Sequence, residues 1–481
     1  MDKSRITDLV VILPGISGSV LQKDGRDLWN MSGQAAWRII SSMGKDLEQM
    51  VVVDDDPEEP VLADGITAPS VLQDVHLIPG LVKIDGYTAL SRLITNNFEV
   101  MQGAIDDPSP ANFFEFPYDW RRDNRASGLR LKEMIDKRLA TWREYAGDDA
   151  QVILLAHSMG GLVSRHYLEV LEGWRDCRAL VTFGTPHRGS ANAIDTLANG
   201  FKKLFLDLTE TMRSFKSVYQ LMPIYEAVKV DDTYHRAAEL DDLPGLNHEF
   251  ALDALQFHRD IEDAVKRHGN DVEYLKNRYA LIPVVGVRQK TYQSATFADG
   301  KVEISRDLPA VVDELLDGGD GTVPRASATP IELSDEYMET FIAERHSSLQ
   351  ASPVILDDLR ERIKQMQSTG HRAIRGPEIT ADGEQQPAIS LDLEDLYLED
   401  EPVRIWAELI NMTGAGSGLV ARVEGVDTGQ PPAEFKLLEQ DDGWGANLEG
   451  LAPGLHRIEV GTVTAGPGDP SPVHDVFEIM G

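Results

Sequence analysis

Ser158 stands at the apex of LLAHSMGGL (154–162), where an apolar run gives way to paired glycines and then to a helical pattern. A strand that turns sharply into a helix lifts the side chain at its tip, which is how a serine becomes a nucleophile for acyl transfer. The usual spacing of that turn is Gly-x-Ser-x-Gly. Here Ala156 takes the place of the first glycine. Alanine suffices, because the position needs only to be small where neighbouring backbone passes close by.

Such a serine needs a base, an acid that orients the base, and N–H donors aimed at the developing oxyanion. Where a strand–turn–helix of a parallel sheet carries the serine, the chain order is serine, acid, histidine. Of the 12 histidines, four follow residue 320: His346, His371, His456 and His474. His456 and His474 lie in a β-rich C-terminal stretch and His371 in a polar linker, which leaves His346 as the base. Asp320, at the tip of the glycine-rich turn DGGDGTVP (317–324), is the favoured acid, with Asp317 and Glu344 as its neighbouring rivals. An Asp-Gly loop also suits calcium, but the alternating acidic ligands of an EF-hand are missing, and no metal site or cofactor is expected. The oxyanion donors should be the N–H of Met159, which follows the serine, and that of Ile16 in the early loop ILPGISGS (12–19). Ser17 in that loop is a decoy, because no glycine-opened helix follows it.

These residues need a scaffold. Nearly continuous apolar runs at 9–14, 113–120, 151–156, 178–184 and 281–287, with another strand around 336–346, read as strands. Amphipathic stretches at 87–98, 128–146, 160–173, 190–198 and 352–367 read as helices. That alternation predicts a mostly parallel sheet covered on both faces. Between about 199 and 280 the rhythm breaks, and Leu204, Phe205, Leu208, Met212 and Phe215 fall at helical spacing. The expectation is an all-helical insertion that caps the site. Residues 1–368 would form this α/β domain, 369–386 a Gly- and Pro-containing linker, and 387–481 a second domain. Its seven or so short alternating strands predict an all-β immunoglobulin-like sandwich.

Composition narrows the function classes. The net charge of −34 and pI of about 4.6 disfavour nucleic acid binding and charge-driven docking on an anionic membrane. No apolar run reaches the roughly 18 residues of a membrane span. The N-terminal burst LVVILPG is too short for a signal segment. The lone Cys177 excludes an intrachain disulfide and reads as structural. A cytoplasmic location is the expectation.

Together these segments resemble the lecithin:cholesterol acyltransferase-like α/β-hydrolases, a group of lipases and phospholipases. The matching stretches are LPGISGS with DLWN (27–30), FPYDWRRDN (116–124), AHSMGGL, FGTPHRGS (183–190), SVYQLMP (217–223), GDGTVP (319–324) and the His346 segment, in the family's order. The resemblance implies an α/β-hydrolase fold in which Ser158, Asp320 and His346 form the triad. It implies oxyanion donors at Ile16 and Met159, and a helical insertion over an acyl pocket. Gly15, Trp29, Trp120 and Leu221, which lie in these segments, would then contact substrate. The cysteines that pin the lid of secreted members are absent, and the C-terminal sandwich lies outside the family pattern.

The expected activity is a serine acyl hydrolase or acyltransferase acting on a lipid ester, a phospholipid or acylglycerol, with peripheral contact to a membrane surface. An esterase of soluble substrates is the alternative within the same chemistry. A different class is a cytosolic lipase effector held inactive until a protein partner engages the sandwich.

Overall fold

The structure is a computed structural model that describes residues 3–30, 48–73, 76–78, 82–203, 206–330, 332, 340–369, 387–412, 418–426, 428–463 and 468–480. Its centre is a six-stranded sheet made by Leu9–Leu13 (β1), Phe113–Glu115 (β2), Val152–His157 (β3), Cys177–Phe183 (β4), Ala280–Gly286 (β5) and Thr340–Ile342 (β6). The spatial order is β6-β5-β4-β3-β1-β2, and every neighbouring pair is parallel. All five residues of β1 and all six of β3 are buried, which is why LVVIL and VILLAH are unbroken apolar runs rather than alternating ones.

Helices Thr88–Asn97 (α1), Asn124–Ala146 (α2), Met159–Arg165 (α3), Ala191–Ala198 (α4), His248–His268 (α5) and Pro353–Thr369 (α6) surround the sheet. The WRRDN run explains the start of α2. Asp123 caps it by accepting the N–H of Arg125 and also holds the amide of Gln220. Arg121 and Arg122, both buried, are paired with Asp119 and Asp64 and with Asp55. Burying two guanidinium groups is tolerable only with such partners.

The insertion departs from the all-helical expectation. Between residues 199 and 280, α5 and several short helices share the segment with β-structure: Lys202–Lys203 pairs with Leu206–Asp207, and Val228–Val230 with Thr233–His235. The second hairpin joins Ser294–Ala298 and Lys301–Ser305 in a four-stranded sheet. Asp231 at its turn has φ +53°, a conformation that a short polar side chain accepts and a helix excludes. Leu208, Met212 and Phe215 are buried as expected, whereas Leu204 and Phe205 lie outside the described residues. The FFEFPYDW strand is also shorter than expected, because Pro117 cannot donate to a ladder and pairing stops at Glu115. Of the segment 369–386, only Thr369 is described, and it ends α6.

The C-terminal part is a β-sandwich. In chain order its strands are Ala388–Leu393 (β7), Leu396–Leu398 (β8), Val403–Ile410 (β9), Leu419–Gly425 (β10), Ala433–Lys436 (β11), Leu438–Gln440 (β12), Gly443–Leu448 (β13), Gly454–Thr462 (β14) and Val473–Met480 (β15). They form the sheets β7-β9-β13-β12 and β8-β15-β14-β10-β11. Period-2 alternation buries Ile405 and Ala407 from one sheet against Ile458, Val460 and Phe477 from the other.

Candidate active site

β3 delivers Ser158 to the edge of the sheet in a strained turn, with φ +50° and ψ −124°. A non-glycine residue holds such angles only when its surroundings dictate them, at a cost of about 1–3 kcal/mol. Here the Ser158 N–H donates to Phe183 O at 2.9 Å, and its carbonyl accepts from Thr185 Oγ1 at 2.9 Å and from Gly161 N at 3.0 Å. The turn also presses on the loop after β1. A Cβ on Gly160 would stand 2.5 Å from Pro14 O, and one on Gly15 would stand 2.8 Å from Ser158 Cβ. The glycine after the serine is therefore a steric requirement, while Ala156, fully buried in β3, fits without distortion.

Ser158 Oγ lies 3.0 Å from His346 Nε2, and His346 Nδ1 lies 2.7 Å from Asp320 Oδ2. Asp320 follows β5 and His346 follows β6, so parallel strands bring to one edge three residues far apart in the chain. The other carboxylate oxygen of Asp320 accepts the N–H groups of Thr322 at 2.9 Å and Val323 at 2.7 Å, which fixes the plane of the acid. The His346 N–H donates to Asp320 O at 2.9 Å, tying the two loops together. An ionised Asp320 accepts from Nδ1–H, leaving Nε2 as the lone pair that faces the serine hydroxyl.

Met159 opens α3, so its N–H has no acceptor within the helix. Ile16 lies on the loop after β1 and lines the same cavity as Ser158. That cavity, of about 290 Å³, is walled on its apolar side by Met212, Val218 and Leu221 from the insertion, with Asp395 reaching in from the sandwich. Gly15, Trp29 and Trp120, expected to touch substrate, do not line it. Trp29 and Trp120 are buried edge to face, 5.0 Å apart, and their indole N–H groups donate to Ser17 O and Ser19 O. They brace the loop after β1 from behind. The rival candidates are turned elsewhere: Asp317 accepts from Gln293, Glu344 faces His474, and Ser17 is buried.

Two residues next to the site escaped the sequence reading. The Gly15 N–H donates to Tyr87 Oη at 2.8 Å, so the hydroxyl proton is directed at His157 Nδ1, 3.0 Å away. His157 Nε2–H then donates to His346 O at 3.2 Å. Burial, with the nearby His346 adding to it, pushes His157 down to about 3, so this ring is neutral. A buried hydrogen-bonded chain thus connects the loop after β1 to the loop that carries His346. The adjacency of His157 to Ser158 was visible in the sequence, but nothing local marked Tyr87.

Residues 81–354, more than half of the chain, match the family model described as lecithin:cholesterol acyltransferase. No curated protein sequence matches the chain. Among solved structures, the Bacillus licheniformis lipase BlEst2 in mature form is similar at 13% identity and a TM-score of 0.32, over 74% of this chain and 91% of that one. The propeptide form of the same lipase is similar at 12% identity and a TM-score of 0.33, over 99% and 94%. The CARDB domain of the PF1109 protein from Pyrococcus furiosus, in complex with di-metal ions, is similar at 13% identity and a TM-score of 0.14, over 20% of this chain and 93% of that one.

Proposed function

Because this chain belongs to the lecithin:cholesterol acyltransferase family, acyl hydrolases and acyltransferases of lipid esters, we propose that it cleaves such esters through a Ser158–His346–Asp320 triad and an acyl-enzyme. The observation that carries the reading is the continuous hydrogen-bonded line from Ser158 Oγ to His346 and on to Asp320 at the floor of a partly apolar cavity. His346 Nε2 takes the hydroxyl proton as Ser158 Oγ attacks the ester carbonyl carbon. The tetrahedral oxyanion is held by the N–H groups of Ile16 and Met159. Collapse breaks the ester C–O bond, and His346 hands its proton to the departing alcohol. Water, or an acceptor alcohol, then gives a proton to His346 and attacks the acyl carbon; the bond from that carbon to Ser158 Oγ breaks, His346 returns the proton to Oγ, and acid or a new ester leaves. The substrate is a phospholipid or acylglycerol, its acyl chain lying against Met212, Val218 and Leu221.

Ser158→Ala keeps the fold and lowers turnover of short p-nitrophenyl esters by about 10³-fold or more. A variant as fast as wild type would overturn the assignment. Mass spectrometry of products from a panel of lipids identifies the ester bond that is cut.

A further inference from the structure

The loop that carries His346 is gripped on both sides by the C-terminal sandwich. On one side, the buried carboxylate of Glu344 accepts the backbone N–H of His474 and its ring Nδ1–H, each at 2.8 Å. On the other, Asp475 Oδ1 accepts the hydroxyl of Ser347 at 3.1 Å. Between them, Arg345 pairs through Nε with Asp475 Oδ2 at 3.1 Å and donates from Nη1 to Leu391 O of β7 at 2.8 Å. Asp475 and Glu344 are almost wholly inaccessible, at 1% exposure each. The Ser347 carbonyl accepts from the N–H of Asp85, whose carboxylate is itself held by Arg457 of β14 at 2.6 Å.

The acid's loop is held from the same side. Gln289, buried, receives the N–H of Leu391 and donates to Ile389 O, pairing with β7 as a strand would. Its own N–H donates to Gly319 O, next to Asp320. Burial opposes a charge on His474, but hydrogen bonds to Glu344 and Glu459 outweigh it and push the imidazolium up to about 10. The ring therefore stays a double donor across the neutral range, with Nε2 facing Glu459 at 3.5 Å. Ordinary domain contacts are polar and loose. These are buried, charged and concentrated on residues 344, 345 and 347, which flank His346.

We propose that the sandwich is a working part of the active site, in which His474 and Asp475 are positioning residues that set the approach of His346 to Ser158. This rests on the triad reading given above. A base held within hydrogen-bond reach loses rate steeply when displaced, about 100-fold for a shift of about 1 Å. Binding of an acyl chain against Met212, Val218 and Leu221, on the apolar wall of the cavity, is disturbed far less.

The test uses the full-length chain and three variants: His474→Ala, Asp475→Asn and, as a control, Ile405→Ala. Ile405 lies in the sandwich core on β9, beside β7, and makes none of the clasp's hydrogen bonds or ion pairs, so its loss weakens the sandwich without removing a contact to the loop. Turnover of a p-nitrophenyl ester and the rate at which a fluorophosphonate labels Ser158 are measured below the unfolding temperature of each variant. The expected result is a fall of about 10- to 100-fold in kcat and in labelling rate for His474→Ala and Asp475→Asn, with KM within about threefold of wild type. Ile405→Ala is expected to match wild type in both. If wild type labels and both clasp variants label at its rate, the positioning role is wrong. If Ile405→Ala loses as much rate as they do, the sandwich acts only as structural support. If wild type itself is not labelled at Ser158, the triad reading fails first and takes this proposal with it. Should Asp475→Asn not fold, His474→Ala decides, because His474 is a quarter exposed at the edge of the clasp.

Discussion

Replacing Asp320 by asparagine changes one atom, yet the surroundings of that carboxylate make the change severe. Its Oδ1 is the acceptor for two backbone N–H groups, at 2.9 and 2.7 Å, and its Oδ2 receives His346 Nδ1–H at 2.7 Å. An amide has one oxygen to offer. If that oxygen stays with the Thr322 and Val323 N–H groups, the NH₂ faces His346 Nδ1. Two donors cannot face each other, so the ring moves its proton to Nε2 and points an N–H at Ser158 Oγ. The base is then gone. If the amide flips to rescue the ring, two buried N–H groups lose their acceptor at about 1–3 kcal/mol each. Together these come to about 2–6 kcal/mol, or about 30-fold to 10⁴-fold in rate. The variant falls into whichever state costs less, so kcat should drop by about 10²- to 10⁴-fold with little change in KM. The assay is steady-state release of p-nitrophenol, with fluorophosphonate labelling of Ser158 as a second reading. A kcat within threefold of wild type would refute the reasoning. A larger loss in Glu344→Gln than in Asp320→Asn would show that the acid has been misassigned.

Tyr87→Phe removes the acceptor of the Gly15 N–H and the donor to His157 in one step. It should cost about 1–3 kcal/mol in urea denaturation and slow acylation as the oxyanion loop loosens; equal stability to wild type would mean that the chain of hydrogen bonds contributes nothing. Stability should also fall in acid. Burial is the leading cause that pushes His157 to about 3 and His166 and His258 to about 4, so all three stay neutral in the fold while the unfolded chain binds their protons below about 6.5. The folded state therefore loses ground as pH drops from about 6.5 toward 4, by up to about 4 kcal/mol per pH unit for the three together. His474 has the opposite sign. Its pKa is raised to about 10, so its contribution is complete below about 6.5 and is lost as pH rises toward 10. Denaturation curves at pH 4.5, 6.5 and 9.5 read both limbs; stability that is flat from 6.5 to 4.5 would contradict the first.

The sandwich contacts give the protein an unusual dependence. In an α/β-hydrolase the base sits on a loop after the last strands, and loops are where positional freedom concentrates. Among the described residues, the sheet offers the three residues of Thr340–Ile342 next to the His346 loop. Buried ion pairs from β15 supply restraint from outside the sheet. A partner or membrane that disturbed the sandwich would reach His346 through the same contacts.

Much of this was written into local sequence. Apolar runs such as LVVIL and VILLAH are readable because burial on both faces demands unbroken hydrophobicity. The strand–Ser158–Gly160 turn is readable because tight backbone approach admits only small residues. The order of Ser158, Asp320 and His346 narrows the choice of base and acid, because where a strand–turn–helix of a parallel sheet carries the serine, the acid and then the base follow it in the chain. The short hairpins of the insertion were not legible. Their two- and three-residue strands carry too little periodicity to outweigh a run of large apolar residues that also suits a helix. The roles of Trp29 and Trp120 as braces, of Tyr87 against His157, and of His474 and Asp475 against the His346 loop belong to tertiary structure alone. Each joins residues tens to more than a hundred positions apart, and a pairing of that kind leaves no mark on the residues' own neighbours until folding has set the two surfaces together.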